Sequence, residues 1–220
     1  MIITDPSIED FKIKKKILQA ISTIIKNKNY ILGENVKLFE KEFSKFCGAK
    51  FAVGVNSGTD AIIISLLSQN IGRDDEVILP SHSASATSMA VTLVGAKPIF
   101  VDIYEDNFLI NCDEINKKIT KKTKAIIPVH IYGQSCNMQK LVEIAHKKNL
   151  IIIEDCAQAH GTLYKKKHVG NFGLMGCFSF YPTKNLGGIG DGGCIITNNK
   201  KVFKKLKSLR EFGWKKRYVS

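Results

Sequence analysis

Short apolar runs alternate along this chain with longer segments in which apolar residues recur every three or four positions. The runs at 51–55, 76–79, 98–101, 124–129, 150–154, 176–180 and 192–197 predict seven strands. Between them, 61–68, 86–94, 113–119 and 137–148 predict helices, and 200–212 predicts a lysine-rich helix after the last strand. The run Leu150–Ile153 contains no polar residue, as expected of a central parallel strand buried on both faces. Strands separated by helices predict an α/β fold, an open, mostly parallel seven-stranded sheet with helices on both faces. The last two strands are joined by a glycine loop without a helix, so they should include an antiparallel partner.

Ahead of the first strand, Ile8, Phe11, Ile17, Leu18, Ile21, Ile24 and Ile25 recur among lysines. They predict an amphipathic helix over 7–28, capped by Ser7 with Asp10 three residues on. Val36, Phe39, Phe43 and Phe46 share one face of a second helix over 35–46. The expected organisation is a helical segment at 1–50, a sheet domain at 51–212 and the start of a further part at 213–220. A chain of 220 residues is long enough to bury a real core.

Composition changes this picture little. Hydrophobic content of 44% and charged content of 24% are those of an ordinary soluble protein. The net charge is +13, yet only three of the 33 basic residues are arginines, namely Arg73, Arg210 and Arg217. Nucleic-acid recognition favours arginine forks, and the lysines here scatter over solvated faces, so no nucleic-acid partner is expected. Weak attraction of anionic, phosphate-bearing substrates remains a reading of the charge. Cys47, Cys112, Cys136, Cys156, Cys177 and Cys194 contain no CxxC pair, which gives zinc and thioredoxin-like chemistry no support. They read as reduced packing residues of a cytoplasmic protein. No secretory leader is recognisable and no apolar run is long enough to span a bilayer, so no membrane partner is expected.

Lys184 stands between the apolar run Cys177–Tyr181 and a loop carrying Gly187, Gly188, Gly190, Gly192 and Gly193. One more surface lysine is the plain reading in so lysine-rich a chain. A lysine held in a dry pocket, however, becomes an amine nucleophile able to form a Schiff base. Upstream, the strand at 150–154 runs into two acids, Glu154 and Asp155. Ligands of open α/β sheets bind outside the carboxyl ends of the strands, and a carboxylate there could hold a protonated pyridine nitrogen. Asn56–Asp60 turns the first strand into a helix, a geometry that offers backbone amides to a phosphate, although an ordinary cap by Ser57 or Thr59 explains it as well. A metal set of His130, Asp155 and His160 is a rival, but it lacks an independent ligand spacing, and no metal is expected.

EDCAQAHG (154–161) followed by FSFYPTKNLGGIGDGG (178–193) resembles the DegT/DnrJ/EryC1/StrS family of sugar aminotransferases. Further blocks agree in order along the chain: YILGENVKLFEKEF, VGVNSGTDAIIISL, DDEVILPSHSASAT, GAKPIFVDI, PVHIYGQ and REFGWKKRYVS. The resemblance implies the large domain of a fold-type-I pyridoxal 5'-phosphate enzyme. It implies Lys184 as the imine lysine and proton carrier, Asp155 as partner of the pyridine nitrogen, and Gln158 as donor to the phenolic oxygen. Gly58, Thr59 and Ser179 are implied as phosphate contacts, and His160 as a residue orienting its neighbours. His130 reads as a packed histidine or a substrate contact.

Two departures stand out. The family's ring-stacking aromatic falls on Ala84, which has no ring, leaving His82 as its substitute. Family members also continue into a smaller C-terminal domain beyond the point this chain reaches. The implied reaction converts a nucleotide-diphosphate keto sugar to an amino sugar for glycan biosynthesis, with glutamate as donor, in a homodimer. A regulatory or scaffold protein is the alternative. A dehydratase of the same fold would carry histidine in place of Lys184.

Overall fold

A computed structural model describes residues 10–214. Two helices come first, α1 (Phe11–Asn27) and α2 (Glu34–Cys47). The cap of α1 is Asp10, whose carboxylate accepts the Lys12 and Ile13 N–H groups. The expected capping residue, Ser7, lies outside the described residues. α1 buries none of its own residues, whereas α2 anchors the following sheet through Phe43 and Cys47.

The strands are β1 (Phe51–Val55), β2 (Glu76–Pro80), β3 (Lys97–Val101), β4 (Thr123–Ile126) and β5 (Ile151–Asp155), with β8 (Met175–Ser179) and β9 (Gly193–Thr197) near the end. They form one seven-stranded sheet in the order β1-β9-β8-β5-β4-β2-β3. β9 runs antiparallel to both of its neighbours, and the remaining pairings are parallel. The intervening helices are α3 (Gly58–Ser68), α4 (Ser85–Leu93), α5 (Cys112–Lys118) and α6 (Met138–Lys148), with α7 (Lys200–Arg210) after β9.

Alternation along the central strands sends neighbouring residues to opposite faces. Val53, Val77, Ile153, Cys177 and Ile195 enter the core shared with α3, α4 and α7. Their neighbours Ile78, Ile126 and Ile152 enter the core shared with α5 and α6. Ala52, Phe178, Cys194 and Ile196 pack under α2 in a third cluster. Both faces are covered, which is why the central strands are apolar throughout.

Two element ends and one added hairpin depart from the sequence expectation. The fourth strand stops at Ile126 because Pro128 has no N–H to donate, although a single parallel bridge, Val129 to Asp155, continues the pairing. The last helix ends at Arg210, where Phe212 and Gly213 turn left-handed and the Gly213 N–H returns to the Ser208 carbonyl. A small hairpin, β6 (Leu163–Tyr164) with β7 (Lys167–His168), was not expected. Its turn holds Lys165 and Lys166 at positive φ, in place of the Asn-Gly that usually marks such turns. No helix among the described residues is long and apolar enough to cross a membrane.

Candidate active site

β5 ends in two adjacent acids that the pleat sends to opposite sides. Glu154 is fully buried. Its Oε2 accepts from His130 Nε2 (3.0 Å) and the Gly170 N–H (2.7 Å). Its Oε1 accepts from the Phe172 and Gly173 N–H groups, both at 2.7 Å. A carboxylate offers about four lone-pair positions, and all are taken. The Cys136 N–H donates to His130 Nδ1 at 3.1 Å, which leaves the imidazole proton on Nε2, facing Glu154. The thiol of Cys156 lies in the same buried group, and burial pushes it up to about 12. With the lone pairs of Glu154 spent on N–H donors, the group is a structural knot that ties the 168–173 loop to the sheet. His130 is therefore a packed histidine. The rival metal set also comes apart, because Asp155 and His160 each face other surroundings.

Asp155 turns the other way, toward α4, and is 5% exposed. Its Oδ2 accepts from Thr87 Oγ1 (2.8 Å) and its Oδ1 from the Ala157 N–H (3.1 Å). Thr87 is itself buried, and Ser83 Oγ lies 2.9 Å from Thr87 Oγ1. Because Thr87 donates to the carboxylate, it is Ser83 that donates to Thr87. Burial raises the Asp155 carboxyl above the usual range, while the Ala157 N–H, the Thr87 hydroxyl and the Lys184 ammonium hold it down. Lys184 is half-buried in the loop after β8, and its N–H closes a turn onto the Tyr181 carbonyl (2.8 Å).

The turn from β1 into α3 forms the second part of the site. The Ser57 hydroxyl caps α3 by accepting the Asp60 N–H, at 3.0 Å. As in the first turn of any helix, the N–H groups of Gly58 and Thr59 have no intrahelical acceptor. A Cβ on Gly58 would lie 2.6 Å from Ser179 Cβ, and one on Gly193 would lie 2.1 Å from the Ser57 carbonyl oxygen. The two glycines let the ends of β8 and β9 close over the helix start. Ser179 is buried, and its oxygen accepts the Tyr181 N–H (3.3 Å), which leaves the hydroxyl proton free to donate.

Gln158 Oε1 accepts the Tyr132 N–H at 2.8 Å. Tyr132 Oη lies 2.9 Å from His82 Nε2, and both rings contact Phe108. His82 is thus held in a three-ring cluster at the ends of β2 and β4, while Ala84 is the exposed N-cap of α4. His160 sits against Phe43, Phe178 and Phe180 with both ring nitrogens buried and without a hydrogen-bond partner among the described residues. Burial pushes it down to about 4, so it is neutral.

The sequence reading passed over Thr87 and Ser83, gave Tyr132 no role, and named Glu154 beside Asp155 without separating their tasks. The small polar run SASATS read only as a helix start, and nothing in EDC told which acid would face the helix.

Comparison with known proteins places this geometry. A profile of the DegT/DnrJ/EryC1/StrS aminotransferase family matches residues 11–220. The dTDP-3-amino-3,6-dideoxy-alpha-D-galactopyranose transaminase of Aneurinibacillus thermoaerophilus is 44% identical over 95% of this chain and 58% of its own. A protein of Geobacillus stearothermophilus named as a pleiotropic regulatory protein is 41% identical over 94% of this chain and 56% of its own. The crystal structure of S. venezuelae DesV superposes with a TM-score of 0.89 at 40% identity, over 96% of this chain and 58% of that one. The chain therefore spans little more than half the length of these relatives. The fold is the sheet domain of type I pyridoxal-phosphate-dependent aminotransferases. With its strand order and a match over residues 11–220 in agreement, the chain belongs to the DegT/DnrJ/EryC1/StrS aminotransferase family.

Proposed function

We propose that this protein is a pyridoxal-5'-phosphate-dependent aminotransferase that turns a nucleotide-linked keto sugar into an amino sugar, with an amino acid such as glutamate as donor. The observation that carries this reading is the buried Asp155 carboxylate in electrostatic reach of Lys184 at the strand ends. Relatives named as sugar transaminases support the substrate class. The reading takes residues 51–212 as the cofactor-binding domain, preceded by the helical segment 1–50. Residues 213–220 begin a further part, and only 213 and 214 fall within the described residues. It also takes the working form as a cytoplasmic homodimer.

The residues present suit this cofactor. The free N–H groups of Gly58 and Thr59, at a helix N-terminus, and the Ser179 hydroxyl form a donor set for a phosphate, brought together because Gly58 has no Cβ to collide with Ser179. Asp155 suits a cationic ring nitrogen, since such a partner supplies the charge that its buried carboxylate lacks. Gln158 has a side-chain amide to give to the ring oxygen. When bound, the cofactor supplies an electron sink for the carbon that loses a proton. Lys184 Nζ is the protein's amine, able to bond the cofactor and, when released, to carry that proton as a base. Thr87 and the Ala157 N–H orient Asp155, and Ser83 orients Thr87. His160, neutral, packs against Phe178 and Phe180, the two neighbours of Ser179, and so orients that strand end. His82, in place of Ala84, is taken as the residue that covers one face of the ring.

The test is the visible spectrum of the purified protein with added pyridoxal phosphate, followed by borohydride reduction and peptide mapping. A yellow band trapped on Lys184 is expected. Absence of the band, or trapping on another lysine, overturns the assignment. A second reading, a regulatory protein on the same domain, is favoured by the name of the Geobacillus relative. It predicts cofactor binding without amino transfer to any nucleotide keto sugar.

A further inference from the structure

Tyr132 has a left-handed backbone inside a helical turn, with φ 56° and ψ 22° in the segment Ile131–Gly133. A tyrosine avoids this region unless its surroundings hold it there. Here they do so from both ends. The backbone N–H donates to Gln158 Oε1 at 2.8 Å, and the hydroxyl lies 2.9 Å from His82 Nε2. The ring stands edge-on to Phe108, with centroids 6.2 Å apart at 89°. Gly133, also left-handed at φ 75°, follows, and its carbonyl accepts from Thr162 Oγ1 at 2.9 Å. The residue is 60% exposed, so burial does not account for the conformation.

The conformation has a chemical consequence. A carboxamide has an acceptor end and a donor end that are nearly the same shape. Only the acceptor end can take a backbone N–H. By aiming its N–H at Gln158, Tyr132 fixes that end as Oε1 and leaves Nε2 as the end that can donate into the site. Among the described residues no acceptor is bonded to Nε2. Without the Tyr132 N–H the amide could rotate by half a turn and present an oxygen to the site instead.

We propose that Tyr132 is a positioning residue: its left-handed backbone, through the N–H it aims at Gln158, is the latch that selects the rotamer of Gln158 offering N–H to the ring oxygen of the bound cofactor. This rests on the aminotransferase reading above, in which Gln158 faces that oxygen. A donor there favours the ionised oxygen and so lowers the pH at which the lysine-bound cofactor changes colour. Asp155, Lys184 and His82, the titratable groups around it, are left in place by the variants chosen.

The experiment is a pH titration of the visible spectrum of the cofactor-loaded chain, with Gln158→Leu, Tyr132→Val, Tyr132→Gly and the Tyr132→Val/Gln158→Leu pair. Valine resists positive φ and glycine accepts it. The expected result is an upward shift of the midpoint by about one unit for Gln158→Leu and for Tyr132→Val, the scale of a lost hydrogen bond to a charged group. Glycine is expected to stay near the wild type, and the pair to shift no further than either single change. An unmoved midpoint in Tyr132→Val beside a shifted Gln158→Leu overturns the latch and leaves the cofactor reading intact. A wild-type chain without a visible band overturns that reading and the latch with it. If Tyr132→Val does not fold, amide exchange in the unloaded chain decides. Gln158→Leu should then speed exchange of the Tyr132 N–H about tenfold or more, as expected for a lost protecting bond, and an unchanged rate overturns the proposal.

Discussion

Thr87 Oγ1 donates to Asp155 Oδ2 across 2.8 Å from inside the core face of α4. The contact joins the helix that follows β2 to the end of β5, and Ser83 relays behind it. A hydrogen bond to a buried charged group contributes about 1.5–3 kcal/mol. Thr87→Val should therefore lower the transamination rate by about ten- to a hundredfold, given about 1.4 kcal/mol per decade, and Thr87→Ser should retain most of it. Steady-state rates of the two variants decide, and a valine variant as fast as the wild type removes Thr87 from the site.

Lys184→Ala should abolish amino transfer, since the proposed mechanism gives Lys184 both the bond to the cofactor and the proton it carries. Asp155→Asn should still take up cofactor but turn over at least about a hundredfold more slowly, the scale of a lost acid–base contribution. Single-turnover kinetics check both. Full activity in the alanine variant, or an unaffected asparagine variant, sinks the corresponding role.

Gly58→Ala and Gly193→Ala should each weaken cofactor binding and stability together. The new methyl groups would meet Ser179 Cβ at 2.6 Å and the Ser57 carbonyl oxygen at 2.1 Å. The second is backbone and cannot swing away. Overpacking of this kind costs about 1–3 kcal/mol, which in a domain of this size lowers the melting temperature by about 2–4 °C per kcal/mol. Thermal melts with and without pyridoxal phosphate should show a lower melting point and a smaller shift on adding cofactor.

Glu154→Ala should be worse for folding than any change at Asp155. It strands His130 and three loop N–H groups in the interior, where losing a buried charged partner costs about 3–5 kcal/mol. Against a typical total of about 5–15 kcal/mol, a largely insoluble product is expected. A soluble variant with a wild-type denaturation midpoint would contradict the knot.

His160 makes stability depend on pH in a defined window. Its folded pKa is lowered by burial to about 4 from the ordinary 6.5, so between these the unfolded chain binds the extra proton. Stability should fall as pH drops from 6.5 toward 4 and level off below. His160 is only partly buried, so we discount the full linkage to about 1–2 kcal/mol. The raised Asp155 carboxyl works in the opposite sense, and comparison with His160→Phe isolates the histidine. The phenylalanine variant should lose less stability over this window, and parallel curves would refute the assignment.

The strands were legible in the chain because buried parallel strands are apolar on both faces, as Ile151–Ile153 shows. The strand ends were legible for a different reason, since short polar motifs there break the apolar runs. What could not be read was direction. Glu154 and Asp155 are neighbours of the same charge, and only the pleat of β5 decides that one is locked into a loop and the other faces α4. Thr87 was hidden because a threonine near a helix start has an ordinary local use. Tyr132 was hidden because its importance lies in a backbone angle that the tyrosine side chain disfavours, and sequence patterns report what a residue prefers. The hairpin at Lys165–Lys166 escaped for the same reason.

The contact between Gly193 and Ser57 also bears on how the protein is made. The cradle joins a turn near the start of the sheet domain to the first residue of the last strand, and β9 is the strand that brings them together. Contacts so distant in sequence form late and slowly. A nascent chain on the ribosome would carry Asp155, Gln158 and the start of α3 well before it has a closed cradle. Only when β9 has emerged and inserted between β1 and β8 does the pocket acquire its floor. Completion of the sheet and closure of the cradle are therefore one event, and on the proposed assignment pyridoxal phosphate supplied during synthesis should raise the yield of folded chain.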